Sequence, residues 1–140
     1  QRQMCIRDRI HVKNFGLDRA GRISPAGGAL SLGIPFTFHQ DSPVIPPDML
    51  ETIWCACVRR TKTGRVLGAE ERIPVEAALR AVTQTAALQY GLEWELGTLR
   101  PGKRADFVLL SGDPLRTPPE ELKKLQVERT IRCGRTIWSR

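Results

Sequence analysis

The sequence contains few histidines and cysteines, two residue types that commonly bind zinc. Only two of its 140 residues are histidines, His11 and His39. Its four cysteines include no Cys-x-x-Cys pair. Because a structural zinc usually takes four closely spaced ligands and a catalytic zinc usually takes three, we do not expect this chain to form a zinc knuckle.

Long hydrophobic runs are also missing. No stretch of about 18 or more apolar residues occurs, so no membrane-spanning helix is predicted. The amino end is charged and no apolar segment follows it, so we expect no signal peptide. We interpret the cysteines as reduced, mostly buried thiols of a cytoplasmic protein. They are Cys5, Cys55, Cys57 and Cys133.

Basic residues outnumber acidic ones by 22 to 15, which gives a net charge of +7. They are scattered along the chain, and no basic stripe with interleaved aromatic residues is present. We interpret the excess as a solvated basic surface and expect neither nucleic acid nor a membrane as a partner. A basic nucleic-acid binder stays open as an alternative, because the sequence pI is about 9.8. Salt-dependent DNA binding would support that alternative.

The hydrophobic period changes from helical to extended near residue 92. Residues 1–9 resemble nothing that follows and are interpreted as an artefactual or disordered tail. Residues 10–91 carry helical patterns, with a short helix near 24–32, a helix over 47–60 and a second long helix after Pro74.

Residues 92–140 are predicted to form β structure. Two short β segments should flank the turn at residues 100–103, where Pro101 and Gly102 favour a type II turn. A short helix with prolines at its start follows the second segment. The last residues are predicted to form a hairpin with Cys133 and Gly134 at its bend.

A candidate functional site follows the apolar run from Ile34 to Phe38. This run is typical of a strand buried on both faces, and we predict a strand there. It ends on His39, Gln40 and Asp41. A carboxylate at the end of a buried strand costs free energy to desolvate unless something there requires it. In α/β folds that end of the sheet is where ligands bind.

The period of two residues places His39 and Asp41 on one face of the segment and Gln40 on the other. Asp41 is either a site residue, a helix N-cap or a turn aspartate. His39 lines a pocket, orients Asp41 by a hydrogen bond, or is a buried histidine with its hydrogen bonds satisfied. Gln40 is expected to have a packing or supporting role.

Four segments carry a resemblance to a known family. "GTLRPGKRADFVLL", residues 97–110, resembles the C-terminal signature of the amidohydrolase superfamily, with Gly97, then Pro101-Gly102-Lys103, then Ala105-Asp106 and an apolar strand. "FTFHQDSPVIPPDMLETIW" is similar to the amidohydrolase family 3 group, which includes enzymes like N-substituted formamide deformylase. "EERIPVEAALRAVT" and "VERTIRCGRTIW" are similar to the same group. The resemblance covers roughly residues 16–140.

The resemblance implies an α/β fold that is the C-terminal part of a (β/α)8 metal-dependent hydrolase barrel. Residues 10–91 would supply the last strand and helices of that barrel. Residues 92–140 would supply strands of a small composite β-sandwich. A whole barrel takes about 250 residues, which is more than this chain contains.

The resemblance also implies hydrolysis of an amide-type C–N bond in a small-molecule substrate by a metal-activated water. The cofactor would be a divalent metal, with zinc as the expected ion. Asp41 stands where the family has an aspartate that binds the metal and takes a proton from the attacking water. His39, Ser42 and Pro43 are candidates for the lining of the substrate pocket.

The chain departs from the family pattern because it has no His-x-His pair. We therefore expect this piece to be inactive by itself and to need the missing N-terminal barrel portion as a partner. A homo-oligomer is left open. The alternative functions are a nucleobase-type deaminase of the same superfamily and a non-enzymatic β-rich interaction module.

Several apolar side chains should lack packing partners in this piece of the chain. The strand at 34–40 and the helix over 47–60 are expected to pack on barrel strands that the chain does not contain. We therefore expect these apolar side chains to be partly exposed and to form an apolar patch larger than soluble monomers usually show. The residues concerned are Phe36, Met49, Ile53 and Trp54.

Overall fold

The protein is described by a computed structural model that covers residues 8–44 and 46–140. Helices come first along the chain and a small antiparallel sheet comes last. The α-helices of the described part are α1 (Asp8–Gly21), α2 (Ala26–Ser31), α3 (Met49–Val58), α4 (Val75–Val82) and α5 (Gln84–Gln89). The strands are β1 (Phe107–Leu110), β2 (Val127–Arg132) and β3 (Arg135–Ser139). Two 3₁₀ helices span Ala69–Glu71 and Pro119–Lys124.

Helix α3 lies at the centre of the core. Asp48 caps its amino end and accepts a hydrogen bond from the backbone N–H of Glu51 at 3.0 Å. Every residue from Thr52 to Val58 is buried. Helix α4 and the 3₁₀ helix Pro119–Lys124 both pack against α3. The β-rich part of the chain and the helical part therefore share one core.

The expected exposure of the α3 side chains is correct for one residue and wrong for two. Met49 is 44 % exposed, as expected, and Phe36 is half-buried. Ile53 and Trp54 are only 2 % and 8 % exposed. The reason is that the 3₁₀ helix Pro119–Lys124 packs on this face of α3. The sequence patterns on the two sides of residue 92 did not predict this contact.

Helix α3 ends at Val58, earlier than the sequence pattern predicts. Arg59 follows in the left-handed region, with φ 53°, and its side chain is fully buried. Its guanidinium donates hydrogen bonds to four backbone carbonyl oxygens at 2.8–3.1 Å. These belong to Gly21, Ile23, Ser24 and Leu67. The side chain thereby ties the end of α3 to the segment that precedes α2.

The predicted strand over residues 34–40 is wrong for this chain. The segment is extended, but the structure assigns it no strand pairing. A strand requires a neighbour to accept and donate its backbone hydrogen bonds, and the described sheet contains only β1, β2 and β3. The Phe36 and Phe38 side chains instead pack on the core, with their ring centroids 5.6 Å apart, whereas Ile34 is exposed.

Two other elements differ from their predicted form. The second long helix is broken at Thr83, whose φ of −125° and ψ of −83° are not helical. It therefore forms α4 and α5. The first of the two β segments predicted around residues 100–103 is a turn and loop region rather than a strand. The second segment is β1, as predicted.

The remaining predicted elements are confirmed. The sheet has the order β1-β2-β3, and both pairings are antiparallel. The bend between β2 and β3 falls at Cys133 and Gly134. Lys103 N–H donates to the Arg100 carbonyl at 3.2 Å, and Gly102 has the φ of +87° that a type II turn requires.

No helix in the part of the chain that the structure describes has the length and apolar character needed to cross a membrane. The proposed tail at residues 1–9 falls largely outside the described residues, and its interpretation stays a prediction.

Candidate functional site

The predicted site residues lie where the extended segment 34–40 meets the loop leading to α3. Asp41, Ser42 and Pro43 are all exposed at the start of this loop. His39 is also exposed, which disfavours its interpretation as a buried histidine. Gln40 between them is 6 % exposed. The exposure of His39 and Asp41 and the burial of Gln40 agree with the predicted alternation.

Asp41 is not the cap of the following helix. That role belongs to Asp48. The Asp41 carbonyl oxygen accepts a hydrogen bond from the N–H of Val44 at 2.8 Å, so its backbone begins a tight turn. Its φ of +59° lies in the left-handed region, which aspartate tolerates better than most residues. The peptide bond between Ser42 and Pro43, one residue further along, is cis.

The Gln40 carboxamide joins the two ends of the loop. Its Oε1 accepts from the Asp48 N–H at 3.2 Å, and its Nε2 donates to the Asp48 carbonyl oxygen at 2.6 Å. Nε2 also donates to Thr52 Oγ1 at 2.6 Å, inside the core. The sequence pattern placed Gln40 on the inner face, but only the structure shows that it holds the loop.

The described part of the chain does not bring a set of metal ligands together at this site. Among the residues that the structure describes, no group of three or more histidine, cysteine, aspartate or glutamate side chains is close enough to hold one. Asp41 alone does not satisfy a catalytic zinc, which usually takes three protein ligands. The residues that the structure describes therefore do not by themselves fit the divalent metal that the sequence resemblance implies.

An apolar groove of about 370 Å³ lies between the segment after α2 and helix α4. Its walls include Ile34, Phe36 and Ala77, and the ion pair between Arg80 and Glu76 lies at its edge. The predicted site residues do not line it. The groove therefore belongs to the packing face of the extended segment and not to the candidate site.

The residues of the "PGKRAD" signature have structural roles. The Lys103 ammonium donates to the carbonyl oxygens of Glu93 and Leu96, which closes the turn before Gly97. Gly97 has a φ of +83°, and a Cβ there would lie 2.8 Å from the Cβ of Ala87. Only glycine fits this position without a rearrangement, since real Cβ contacts are essentially never that short.

Asp106 holds the bend of the closing hairpin. Its carboxylate accepts from the N–H of Cys133 at 2.7 Å and from Arg104 Nε at 2.8 Å. The hydrogen bond from Arg104, and then that from Cys133, lower the pKa of the Asp106 carboxyl below its ordinary value. The same contact with Asp106 raises the pKa of Arg104. The motif thus stabilises the sheet.

Cys57 and Cys133 are free thiols. Cys55 and Cys57 are buried in α3, whereas Cys133 is exposed at the hairpin bend. Burial raises the pKa of the Cys57 thiol to about 11. A thiol with so high a pKa is a poor nucleophile and metal ligand at neutral pH, so Cys57 is a packing residue.

The geometry defines a helical unit closed by a small antiparallel sheet, with a clamped loop that presents an exposed carboxylate. The chain belongs to the amidohydrolase family, whose model matches residues 3–138. This confirms the resemblance found in the sequence motifs.

Two curated proteins are similar to the chain. N-substituted formamide deformylase of Arthrobacter pascens is 32 % identical over 113 residues, which is 81 % of this chain and 21 % of that protein. Putative amidohydrolase YtcJ of Bacillus subtilis (strain 168) is 28 % identical over 132 residues, which is 92 % of this chain and 25 % of that protein.

A solved structure is also similar. An amidohydrolase from Thermotoga maritima MSB8 matches with a TM-score of 0.60 and 27 % identity, over 79 % of this chain and 24 % of that one. The chain thus spans between a fifth and a quarter of the length of these relatives.

Proposed function

We propose that this chain is the C-terminal part of a longer hydrolase that cleaves an amide-type C–N bond, other than a peptide bond, in a small molecule. The family match over residues 3–138 carries this proposal. It is supported by the name of one relative, N-substituted formamide deformylase. It is also supported by the exposed position of Asp41 at the end of the extended segment.

In this proposal the extended segment 34–40 is the last strand of a (β/α)8 barrel. Its backbone would pair with barrel strands supplied by the rest of the protein. Strands β1 to β3 would belong to a small composite β-sandwich. The exposure of apolar side chains on the sheet, including Val108 and Trp138 at 49 % and 48 %, supports a second layer over it.

The proposed role of Asp41 is that of a general base. A carboxylate in this position can accept a proton from a water molecule that attacks the carbonyl carbon of the substrate. The C–N bond then breaks, and the same carboxyl returns the proton to the departing nitrogen. His39, Ser42 and Pro43 are proposed to contact the substrate, because all three are exposed beside Asp41.

The divalent metal, with zinc as the expected ion, is proposed for the longer protein only. This chain would contribute Asp41, and the other ligands would come from outside it. The isolated chain is therefore proposed to be inactive. We also propose a cytoplasmic location, which is consistent with the free thiols of Cys57 and Cys133.

The test is to purify the 140-residue chain alone and the longer protein encoded by the extended reading frame. Zinc content and release of free amine from N-acyl and formamide substrates are measured for both. We expect turnover from the longer protein and none from the chain alone. Stoichiometric zinc and turnover in the isolated chain would refute the claim that it is incomplete. Release of ammonia from a nucleobase ring by the longer protein would favour the deaminase alternative.

A further inference from the structure

The strongest unassigned feature near the candidate site is the Gln40 side chain. It is 6 % exposed and makes three hydrogen bonds, two to the backbone of Asp48 and one to the hydroxyl of Thr52. Thr52 is itself fully buried, and its hydroxyl also donates to the Asp48 carbonyl oxygen at 2.9 Å. The Gln40 carboxamide is thus anchored to the amino-terminal turn of α3.

The contacts require a carboxamide. One end of the group must accept from the Asp48 N–H, and the other end must donate to the Asp48 carbonyl oxygen. A carboxylate has acceptors only, and a thioether has no donor. Glutamate at this position would keep the hydrogen bond that Oε1 accepts and lose the two that Nε2 donates. Methionine would fill a similar volume and lose all three.

The anchored residue is the immediate neighbour of Asp41. A left-handed φ costs free energy in a residue other than glycine and persists where the surrounding structure holds it. Contacts that hold Asp41 include the turn closed by Val44 and the clamp between Gln40 and Asp48. Because the clamp fixes both the start and the end of the loop, it limits the directions in which the Asp41 side chain can point.

We propose that Gln40 is a positioning residue that acts through Asp41, by clamping the loop between residues 40 and 48 and so fixing the direction of the Asp41 carboxylate. The catalytic part of this inference rests on the function proposed for Asp41. A misplacement of a reacting group by about 1 Å can cost about 100-fold in rate. The loss should appear in kcat and not in KM, because Gln40 is buried on the face opposite the exposed pocket residues.

The test uses three variants, each characterised for folding by thermal melting. Gln40→Met removes all three hydrogen bonds, Gln40→Glu keeps the acceptor alone, and Thr52→Val removes the hydroxyl partner. Thr61→Val is the matched control. Thr61 is likewise buried and its hydroxyl is bonded to that of Thr63, but it lies beyond the opposite end of α3.

The first measurement is made by NMR on the 140-residue chain. The coupling between the amide and α protons of Asp41 and its Cα and Cβ shifts report the left-handed backbone. We expect these signals to move in the Gln40 variants and in Thr52→Val, and to stay unchanged in Thr61→Val. Unchanged Asp41 signals in a folded Gln40→Met would overturn the proposal. If Gln40→Met does not fold, the Asp41 signals of Gln40→Glu and Thr52→Val are compared with those of the wild type instead. Unchanged signals in both would then overturn the proposal.

The second measurement is kcat and KM for C–N hydrolysis in the longer protein. We expect Gln40→Met to lower kcat by about 10- to 100-fold, with KM changed by less than about threefold. An unchanged kcat would overturn the catalytic part of the inference. A wild-type longer protein without hydrolytic activity would refute the proposed function instead, and the NMR comparison would still decide whether Gln40 positions Asp41.

Discussion

The indole nitrogen of Trp54 donates a hydrogen bond to the carbonyl oxygen of Glu120, 3.2 Å away, across 66 positions of sequence. The ammonium of Lys123 lies 4.5 Å from the centre of the same indole ring. These contacts join α3 to the 3₁₀ helix Pro119–Lys124. We therefore expect the part of the chain after residue 92 to stabilise the part that carries Asp41.

The fully buried Leu122 is the apolar centre of this contact. Leu122→Ala should lower the free energy of unfolding by about 2–4 kcal/mol, because it removes a buried side chain and leaves a cavity against α3. Urea denaturation measures the effect. The control is Leu115→Ala, since Leu115 is 62 % exposed and its loss should cost less than about 0.5 kcal/mol. Equal effects of the two substitutions would show that the 3₁₀ helix does not cover α3.

The buried guanidinium of Arg59 should be essential for stability. Arg59→Met removes donors from four backbone carbonyl oxygens and should cost at least about 2 kcal/mol, because buried acceptors lose their partners. Arg60→Met is a control with the same chemical change at an exposed neighbouring position, and it should be nearly neutral. A small effect of Arg59→Met in the same denaturation assay would contradict this role.

Acid should weaken the closing hairpin. The pKa of Asp106 is lowered from its ordinary value of 3.8, first by the Arg104 hydrogen bond and then by the Cys133 N–H. The folded state therefore favours the ionised carboxyl. The stabilisation is present above the unfolded pKa and is lost as the pH falls through the lower folded pKa.

This dependence is measured by thermal melting between pH 7 and pH 2. We expect part of the stability to disappear below about pH 4. Asp106→Asn should be less stable than the wild type at pH 7 and should show a smaller loss in acid. An identical acid profile for the two proteins would contradict the assigned pKa shift.

Thiol reactivity should separate the cysteines of the described part. At pH 8 we expect iodoacetamide to alkylate the exposed Cys133, while Cys55 and Cys57 stay unmodified in the folded protein. The pKa of Cys57, about 11, keeps its reactive thiolate scarce, and burial blocks access. Peptide mapping identifies each site. Labelling of Cys57 before urea is added would show that α3 is not covered.

Local patterns in the sequence predicted several elements correctly. The type II turn at Pro101 and Gly102 and the bend at Cys133 and Gly134 depend on contacts between near neighbours in the chain. The apolar period also located α3 and predicted that His39 and Asp41 share a face. Each of these features is set by backbone preference or by a repeat of a few residues.

Features that depend on distant parts of the chain were not predictable in the same way. The segment 34–40 has the composition of a strand, but pairing needs a neighbour that no local pattern reveals. Arg59 follows a helix, where a cation usually faces solvent, and only the carbonyl groups around it make burial favourable. The Gln40 clamp likewise depends on the position of Asp48 at the start of α3.

Asp41 is proposed to act as the general base in C–N hydrolysis by the longer protein. The most direct test is the rate of amine release from a formamide or N-acyl substrate by that protein and by its Asp41→Asn variant. Asparagine keeps the tolerance for a left-handed φ, and Asp18→Asn is a control at an exposed aspartate of α1. We predict that Asp41→Asn lowers kcat by about 10²- to 10⁴-fold at unchanged stability, while Asp18→Asn has no effect. Full activity of a folded Asp41→Asn variant would contradict the claim.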